Sequence, residues 1–304
     1  MLEHCTLCPR SCGVNRIKGE RGYCGADDKI RIGLASLHRW EEPCLSGTNG
    51  AGTIFFCHCP LRCVFCQNHD ISGHDVAGAG KITDVSGLAD TFLSLQEQGA
   101  HNIDLVTPTH YAAQIAKAIP LARSRGLTVP IVYNCGGYEA VKTLNMLDGM
   151  IDIYLPDFKY FSPYYAERYS SAPDYFDVAV EAISEMVRQT DIPVIDTDGV
   201  LQSGTIIRHL MLPGLAGDTA QILRAIASRW GNMVLVSLMR QFTPCTNLIG
   251  YPELTRRLTD TEYEDACLLM EMLGLEGWTQ DAESISESFI PHFDGSGVVS
   301  DLQL

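Results

Sequence analysis

The chain lacks any apolar run approaching the ~18–20 residues that a membrane-spanning helix needs, so no span and no membrane partner is expected. It is short of positive charge. Among 304 residues, 22 Lys and Arg face 37 Asp and Glu, a formal net charge of −15. That balance argues against a protein that works by holding nucleic-acid phosphates. The opening Met1-Leu2-Glu3-His4-Cys5 lacks the basic and apolar regions of a secretory signal, so a reducing, cytoplasmic setting is expected and a disulfide framework is not. Internal repeats and low-complexity tracts are also missing. A hydrophobic content of 46% excludes wholesale disorder.

Cysteine is what the chain has in excess. There are 12, and those at 5, 8, 12, 24, 44, 57, 59, 63 and 66 fall within the first 66 residues. Clustered cysteines in a reducing compartment read first as metal ligands. Charge is uneven as well. Residues 1–40 carry a net +3, and residues 251–304 a net −10 from two basic and twelve acidic groups. The acidic end reads as a solvated helix face, with docking of a basic partner as the alternative.

The pattern divides the chain into a Cys-rich module over 1–48, a main domain over 49–280 and a tail over 281–304. The module is too short and too rich in glycine to build a core, so a metal is expected to hold it. A Gly-rich hinge over 46–52 follows. Strand-like segments then begin near Thr53, Asn102, Val129, Ile151, Thr205 and Met233. Helical segments follow Asp84, Tyr111, Tyr138, Pro173 and Thr219, with a kink expected at Pro120. Thr259 and Glu262 form a capping box for a last helix. Six strand–helix units predict an α/β fold, a partial (β/α)6 barrel of parallel strands or else a doubly wound sheet, with chemistry at the C-terminal strand ends in either.

Just past the first strand lies Cys59-Pro60-Leu61-Arg62-Cys63-Val64-Phe65-Cys66, a C-x3-C-x2-C spacing. Three thiolates are one short of filling a [4Fe–4S] cluster. The fourth iron would stay open to the amino and carboxylate groups of an amino-acid-like cofactor. A zinc knuckle with His58 as stand-in ligand is the alternative.

This loop, placed on a partial barrel, resembles the radical S-adenosylmethionine superfamily. Further blocks resemble the subgroup similar to pyruvate formate-lyase activating enzymes. They are Cys5-x2-Cys8-Pro9-Arg10-x-Cys12, Gly52-Thr53-Ile54-Phe55-Phe56, Cys66-Gln67-Asn68, Asp157-Phe158-Lys159 and Ile207-Arg208-His209-x3-Pro213-Gly214. The resemblance implies a [4Fe–4S] cluster on Cys59, Cys63 and Cys66. It implies reductive cleavage of S-adenosylmethionine to a 5′-deoxyadenosyl radical for hydrogen abstraction. An electron donor such as flavodoxin or ferredoxin, and a glycyl-radical protein as substrate, are implied too. A small molecule or a peptide is the alternative substrate, and a zinc-ribbon scaffold on a degenerate barrel the alternative to an enzyme.

Two departures stand out. Where the superfamily carries a Gly-Gly-Glu-like run, this chain reads Val106-Thr107-Pro108-Thr109, so the Thr107 and Thr109 hydroxyls, or nearby backbone carbonyls, are expected to take over contact with the methionine amino group. His58 stands where a glycine is expected, and Cys57 is an extra thiol that could exchange with Cys59. Asn134, Asp157 and Lys159 close two strands, and Asp157 and Lys159 share a face by alternation. Arg208 is expected inside the barrel, and His209 against the helices. Lys159 and Arg208 are thus assigned to catalysis, and Asn68, Thr107, Thr109, Asn134 and Asp157 to cofactor binding. Ser237 and Gln241 are possible ribose or substrate contacts. Cys44, Cys135 and Cys267 read as packing residues, Cys135 alternatively as a relay. Cys5, Cys8, Cys12 and Cys24 are four potential ligands in twenty residues, for structural zinc first, for a second iron–sulfur cluster next, with reduced thiols that hold no metal as the third reading.

Overall fold

A computed structural model describes residues 1–76, 79–244, 248–281 and 291–300. In chain order the elements begin with β1 (Ile30–His38), α1 (Pro43–Ser46), β2 (Ala51–Phe56), α2 (His69–Ser72), β3 (Lys81–Thr83) and α3 (Val85–Glu97). They continue with β4 (Ile103–Val106), α4 (Ala112–Ser124), β5 (Ile131–Cys135), α5 (Val141–Met146), β6 (Ile153–Pro156), α6 (Pro163–Ser170) and α7 (Tyr175–Thr190). The last are β7 (Val194–Ile195), β8 (Leu201–Leu210), α8 (Ala216–Arg229), β9 (Leu235–Met239), α9 (Asp260–Met272) and β10 (Gly277–Thr279).

The strands form one sheet in the order β10-β9-β8-β6-β5-β4-β2-β1-β3, with β7 paired to β8. From β2 to β10 every neighbouring pair along that path is parallel. The sheet does not close, because β3 and β10 are its two ends. This is the partial barrel that six strand–helix units predict.

Local chemistry explains the helices that face it. Asp84 caps α3 by accepting from the Gly87 N–H at 2.9 Å, and Gly99 follows the helix in the left-handed region, where it alone is unstrained. Buried Ala179, Ala182, Ile183 and Met186 make one stripe of α7. Thr259 and Glu262 close the capping box of α9. α4 runs through Pro120 without ending. The outer face of the strands, with Ile54, Leu105, Tyr133, Tyr154, Ile207 and Val236, packs on these helices in one core. The inner face carries a smaller core in which Cys44 and Leu45 of α1 meet Val132, Ile153, Leu155, Leu201 and Ile206. α1 is thus a plug in the barrel.

Three features correct the sequence reading. Ile30–His38, assigned to the Cys-rich module, is a nine-residue strand antiparallel to β2. Its apolar Ile30, Ile32, Leu34 alternation is broken by Gly33, where the register shifts, and the glycines around it masked the strand. The supposed hinge over 46–52 ends α1 and starts β2, so it is held at both ends. α6, opened by Pro163 at its first position, had no separate expectation. Of the tail, residues 282–290 and 301–304 lie outside the described residues, while 291–300 lie along β1. There the Ala35 N–H donates to the Ser296 carbonyl at 3.0 Å and the Gly295 N–H to the Gly33 carbonyl at 2.7 Å.

The Cys-rich segment is tied to the barrel by two arginines. Arg16 is fully buried and donates to the Asp27 carbonyl at 2.9 Å and the His110 carbonyl at 2.5 Å. Replacing it with Met should leave both carbonyls unpaired, at ~1–3 kcal/mol each. Urea unfolding of Arg16→Met should therefore show a loss of about 2–6 kcal/mol.

Candidate active site

The cysteine loop leaves β2 through a strained backbone. His58 and Arg62 have φ of 74° and 53°, and Thr107 at the end of β4 has 58°. Non-glycine residues are scarce in this region, β-branched ones most of all, and such strain gathers at functional sites. The glycine expected at 58 reflects this same conformation. His58 is held there by its backbone N–H on the Ile71 carbonyl at 2.5 Å and its ring on the Gly73 carbonyl at 3.3 Å.

All three loop thiols have hydrogen bonds aimed at sulfur. The Leu61 N–H reaches Cys59 at 3.4 Å, the Ser170 hydroxyl reaches Cys63 at 3.0 Å, and Ser72 and the Asn68 backbone reach Cys66. Burial pushes the Cys59 thiol up to about 12 and Cys66 to about 11, with neighbouring cysteines adding to the rise. Thiols this reluctant to ionise need a cationic partner such as iron to become thiolates. Cys57 does not join them. It is fully buried among Leu34, Phe55, Ile71 and Val76, with its sulfur toward the Ala79 carbonyl.

Arg10 sets the loop from behind. It donates to the Pro60 carbonyl at 3.0 Å, to the Ser170 carbonyl at 2.8 Å and to the Ser171 carbonyl, and stacks 4.0 Å above the Tyr23 ring. It is engaged with backbone oxygens. Cys5, Cys8 and Cys24 are buried beside it, and Cys12 is exposed and accepts from the Tyr23 N–H at 3.3 Å. Burial raises Cys8 to about 12, and its neighbours Cys24 and Cys5 add to the rise. Among the described residues no group of three or more Cys, His, Asp or Glu is placed to hold a single metal ion.

Alternation along the strands brings the polar residues together inside the barrel. Asp157 accepts from Lys159 Nζ at 2.6 Å and from Arg208 Nε at 3.0 Å. Arg208 Nη2 donates to Asn134 Oδ1 at 2.5 Å, and Asn134 Nδ2 to Asp104 Oδ2 at 3.3 Å. Arg208 Nη1 lies 3.5 Å from Glu41. Burial pushes Asp157 up, but the Arg208 and Lys159 cations outweigh it and hold the carboxyl below its usual range. Lys159 is shifted the other way: burial would lower it, and Asp157 with the nearby Cys63 raises it. A lysine that feels Cys63 and touches Asp157 links the cysteine loop to the polar network.

The remaining predicted residues separate. Thr107 is half-buried at the strand end, its N–H on the Asn134 carbonyl at 2.8 Å. Thr109 turns away: it is 1% exposed, and its hydroxyl donates to Glu139 at 2.7 Å. That corrects its assignment to a cofactor contact. Asn68 lends its backbone to Cys66 and to the start of α2. His209 points to the helices, bonded to the Phe158 carbonyl at 2.7 Å and Thr219 at 2.9 Å. Cys135 packs on the helix side beside Glu139. Ser237 bonds Glu42, and Gln241 bonds Gln280 at 3.0 Å. Sequence reading missed Glu41, Glu42, Asp104 and Thr53. The available signal was a carboxylate, Asp104, inside the otherwise apolar β4.

Glu139 holds Thr109 and Tyr133 and is raised to about 7 by burial, against the bonds from Thr109 and Tyr133. Its unfolded value is ~4.3, so the folded chain keeps a proton that the unfolded chain has lost. The associated stability is complete below pH ~4.3 and is lost as pH rises through 7. Glu139→Gln removes the titration. Between pH 4.5 and 8 the wild type should lose about 3 kcal/mol relative to the variant, read by urea unfolding at each pH.

No protein-family model matches the chain. It is 30% identical over 288 residues to the uncharacterized protein MJ0674 of Methanocaldococcus jannaschii, across 91% of this chain and 77% of that protein. Among solved structures it is similar to a radical SAM methyltransferase from Sphaerobacter thermophilus. The TM-score there is 0.51 at 12% identity, over 76% of this chain and 66% of that one. It is equally similar to Streptococcus suis SuiB bound to S-adenosylmethionine, with TM-score 0.51 and 12% identity over 76% of this chain and 52% of that one. The chain thus matches just under two thirds and about half of those two lengths, and the likeness is one of fold. The chain therefore belongs to one family with the M. jannaschii protein, and its fold, with the C-x3-C-x2-C loop at the end of the first parallel strand, is similar to that of these radical SAM proteins.

Proposed function

We propose that the chain binds a [4Fe–4S] cluster at Cys59, Cys63 and Cys66 and S-adenosylmethionine beside it, and abstracts hydrogen from a substrate seated in the barrel. The observation that carries this is the loop itself: three buried or half-buried thiols, each with a hydrogen bond on sulfur, on the strand end that opens over Lys159, Asp157 and Arg208. The donor set fits the cluster, since three sulfurs leave one iron for a small molecule. When bound and reduced by one electron, the cluster and S-adenosylmethionine supply methionine and a 5′-deoxyadenosyl radical.

The chain's own part is to hold, orient and screen. Arg10 and Ser170 fix the loop, and Phe65, 6% exposed and edge-on to Tyr160, Tyr169 and Phe242, keeps water from its inner side. Lys159 offers a cation to the methionine carboxylate, and Asp157 holds that lysine in place. An electron donor such as flavodoxin or ferredoxin would supply the electron. The likeness of the motifs to activating enzymes supports a glycyl-radical protein as substrate. The acidic interior favours a second reading, a small molecule, because a backbone glycine brings no charge to it.

Anaerobic reconstitution should give about four irons and four sulfides at the triplet. Replacing Cys59, Cys63 and Cys66 together by Ala should abolish formation of 5′-deoxyadenosine. Residual metal in that triple variant reports the N-terminal cysteines: zinc near one equivalent marks a structural site, and iron marks a second cluster. Reductive cleavage surviving in the variant would refute the assignment.

Lys159→Met and Asp157→Asn should each weaken S-adenosylmethionine binding. One charge-assisted hydrogen bond is worth ~1.5–3 kcal/mol, or roughly 10- to 150-fold. The pair is only 15% and 17% exposed, so a purely structural role would appear as a loss of ~3–5 kcal/mol in stability instead. Measuring affinity and unfolding midpoint together separates the two roles, and unchanged affinity in both variants would remove the pair from the binding site.

A further inference from the structure

The interior below the strand ends is acidic, and part of that acidity has no partner. Glu41 and Glu42 enter with the turn before α1, Asp104 comes from β4, and Asp157 follows β6, so four carboxylates meet Arg208 and Lys159. Both cations are engaged: Lys159 with Asp157, and Arg208 with Asp157, Asn134 and Glu41. Glu42 Oε2 and Asp104 Oδ1 remain buried with no hydrogen-bond partner, in residues 7% and 0% exposed.

A third oxygen points to the same place independently of the acids. Thr53 is fully buried, and its hydroxyl is also unpartnered. Thr53 and Asp104 are register partners on adjacent parallel strands, so both side chains stand on the inner face. Leaving one buried polar group unsatisfied costs ~1–3 kcal/mol, and native interiors keep few. Two on one inner wall, with Glu42 near enough for its charge to act on Asp104, suit a donor that the chain itself does not carry.

The chemistry of that donor can be narrowed. Burial raises Glu41, Glu42 and Asp104 above the usual carboxylate range, with neighbouring acids adding to the rise, and a positive guest would reverse that rise. A bare metal ion fits poorly, since among the described residues no three acidic, His or Cys groups are placed to hold one. A larger cation, whose separate N–H groups reach separate oxygens, fits better. The cofactor's own ammonium belongs higher up. Asp104 precedes Thr107 by three residues, about 10 Å down the strand at ~3.3 Å per residue.

We infer that the floor of the barrel, between Glu42, Asp104 and Thr53, binds the ammonium or guanidinium group of a small-molecule substrate. This rests on the radical-enzyme reading above and names its substrate class: a basic metabolite, not a glycyl backbone. Arg208 is the positioning residue, since it holds Glu41 and, through Asn134, Asp104 at the rim of the floor.

The test is a ligand-observed NMR titration of the full-length, anaerobically reconstituted protein saturated with S-adenosylmethionine. The probes are butylammonium and methylguanidinium, each beside its neutral counterpart, 1-butanol and methylurea. The cations should bind and the neutral probes should not. Glu42→Gln and Asp104→Asn should each weaken the cations at least tenfold, and Thr53→Val several-fold, with unfolding midpoints confirming folded protein. Thr53→Val, uncharged and close in shape, decides the matter if an acid variant does not fold. Equal binding of neutral probes, unchanged affinity in the variants, or absence of cation binding each overturns the proposal. Cation binding without reductive cleavage of S-adenosylmethionine would defeat the enzyme reading and keep the floor site. Cleavage without cation binding would defeat the floor site alone.

Discussion

The buried guanidinium of Arg208 is the interaction on which the inner face depends. A cation inside a barrel is tolerated only if it is paired and fully hydrogen-bonded. Here one planar group collects Asp157 from β6, Asn134 from β5 and Glu41 from the turn before α1. Its fork geometry suits three partners in one plane, which a lysine could not serve. Asp157 is thereby kept ionised and turned to Lys159, and Lys159 in turn reaches the field of Cys63. The orientation of the lysine beside the cysteine loop is inherited from an arginine on another strand.

The same dependence runs through the N-terminal segment. Arg10 and Arg16 are consumed by backbone carbonyls of the loop after β2, the end of α6 and the turn before α4. The α6 terminus also supplies Ser170 to Cys63. The Cys-rich segment is therefore part of the wall behind the C-x3-C-x2-C loop.

Much of this was legible in the sequence, for physical reasons. Six parallel strands showed as short β-branched runs separated by capped helices; alternation put Arg208 and His209 on opposite faces, and the resemblance to activating enzymes chose Arg208 as the inward one. The C-x3-C-x2-C loop carried its own chemistry in its spacing. β1 was hidden because Gly33 and a bulge interrupt its alternation next to a segment whose cysteines invited a different reading. Thr109 was misplaced because a turn after Pro108 rotates it toward Glu139, a residue thirty positions away. Glu41 and Glu42 escaped notice because nothing local says that the turn before α1 enters the barrel; only the apolar Cys44 and Leu45 that follow hint at burial.

Residues 291–300 lie along β1, on the side that β3 covers only at Ile30, Arg31 and Ile32. They add backbone bonds at Gly33 and Ala35, and Val299 bonds Thr83 and Thr91. During synthesis β1 and β2 emerge early, and their exposed flank stays open until more than two hundred further residues have been made. An uncovered strand edge is a template for pairing with other chains. The nascent protein therefore carries an open strand edge through most of its translation, and covers it only when residues 291–300 lie down on the first strand.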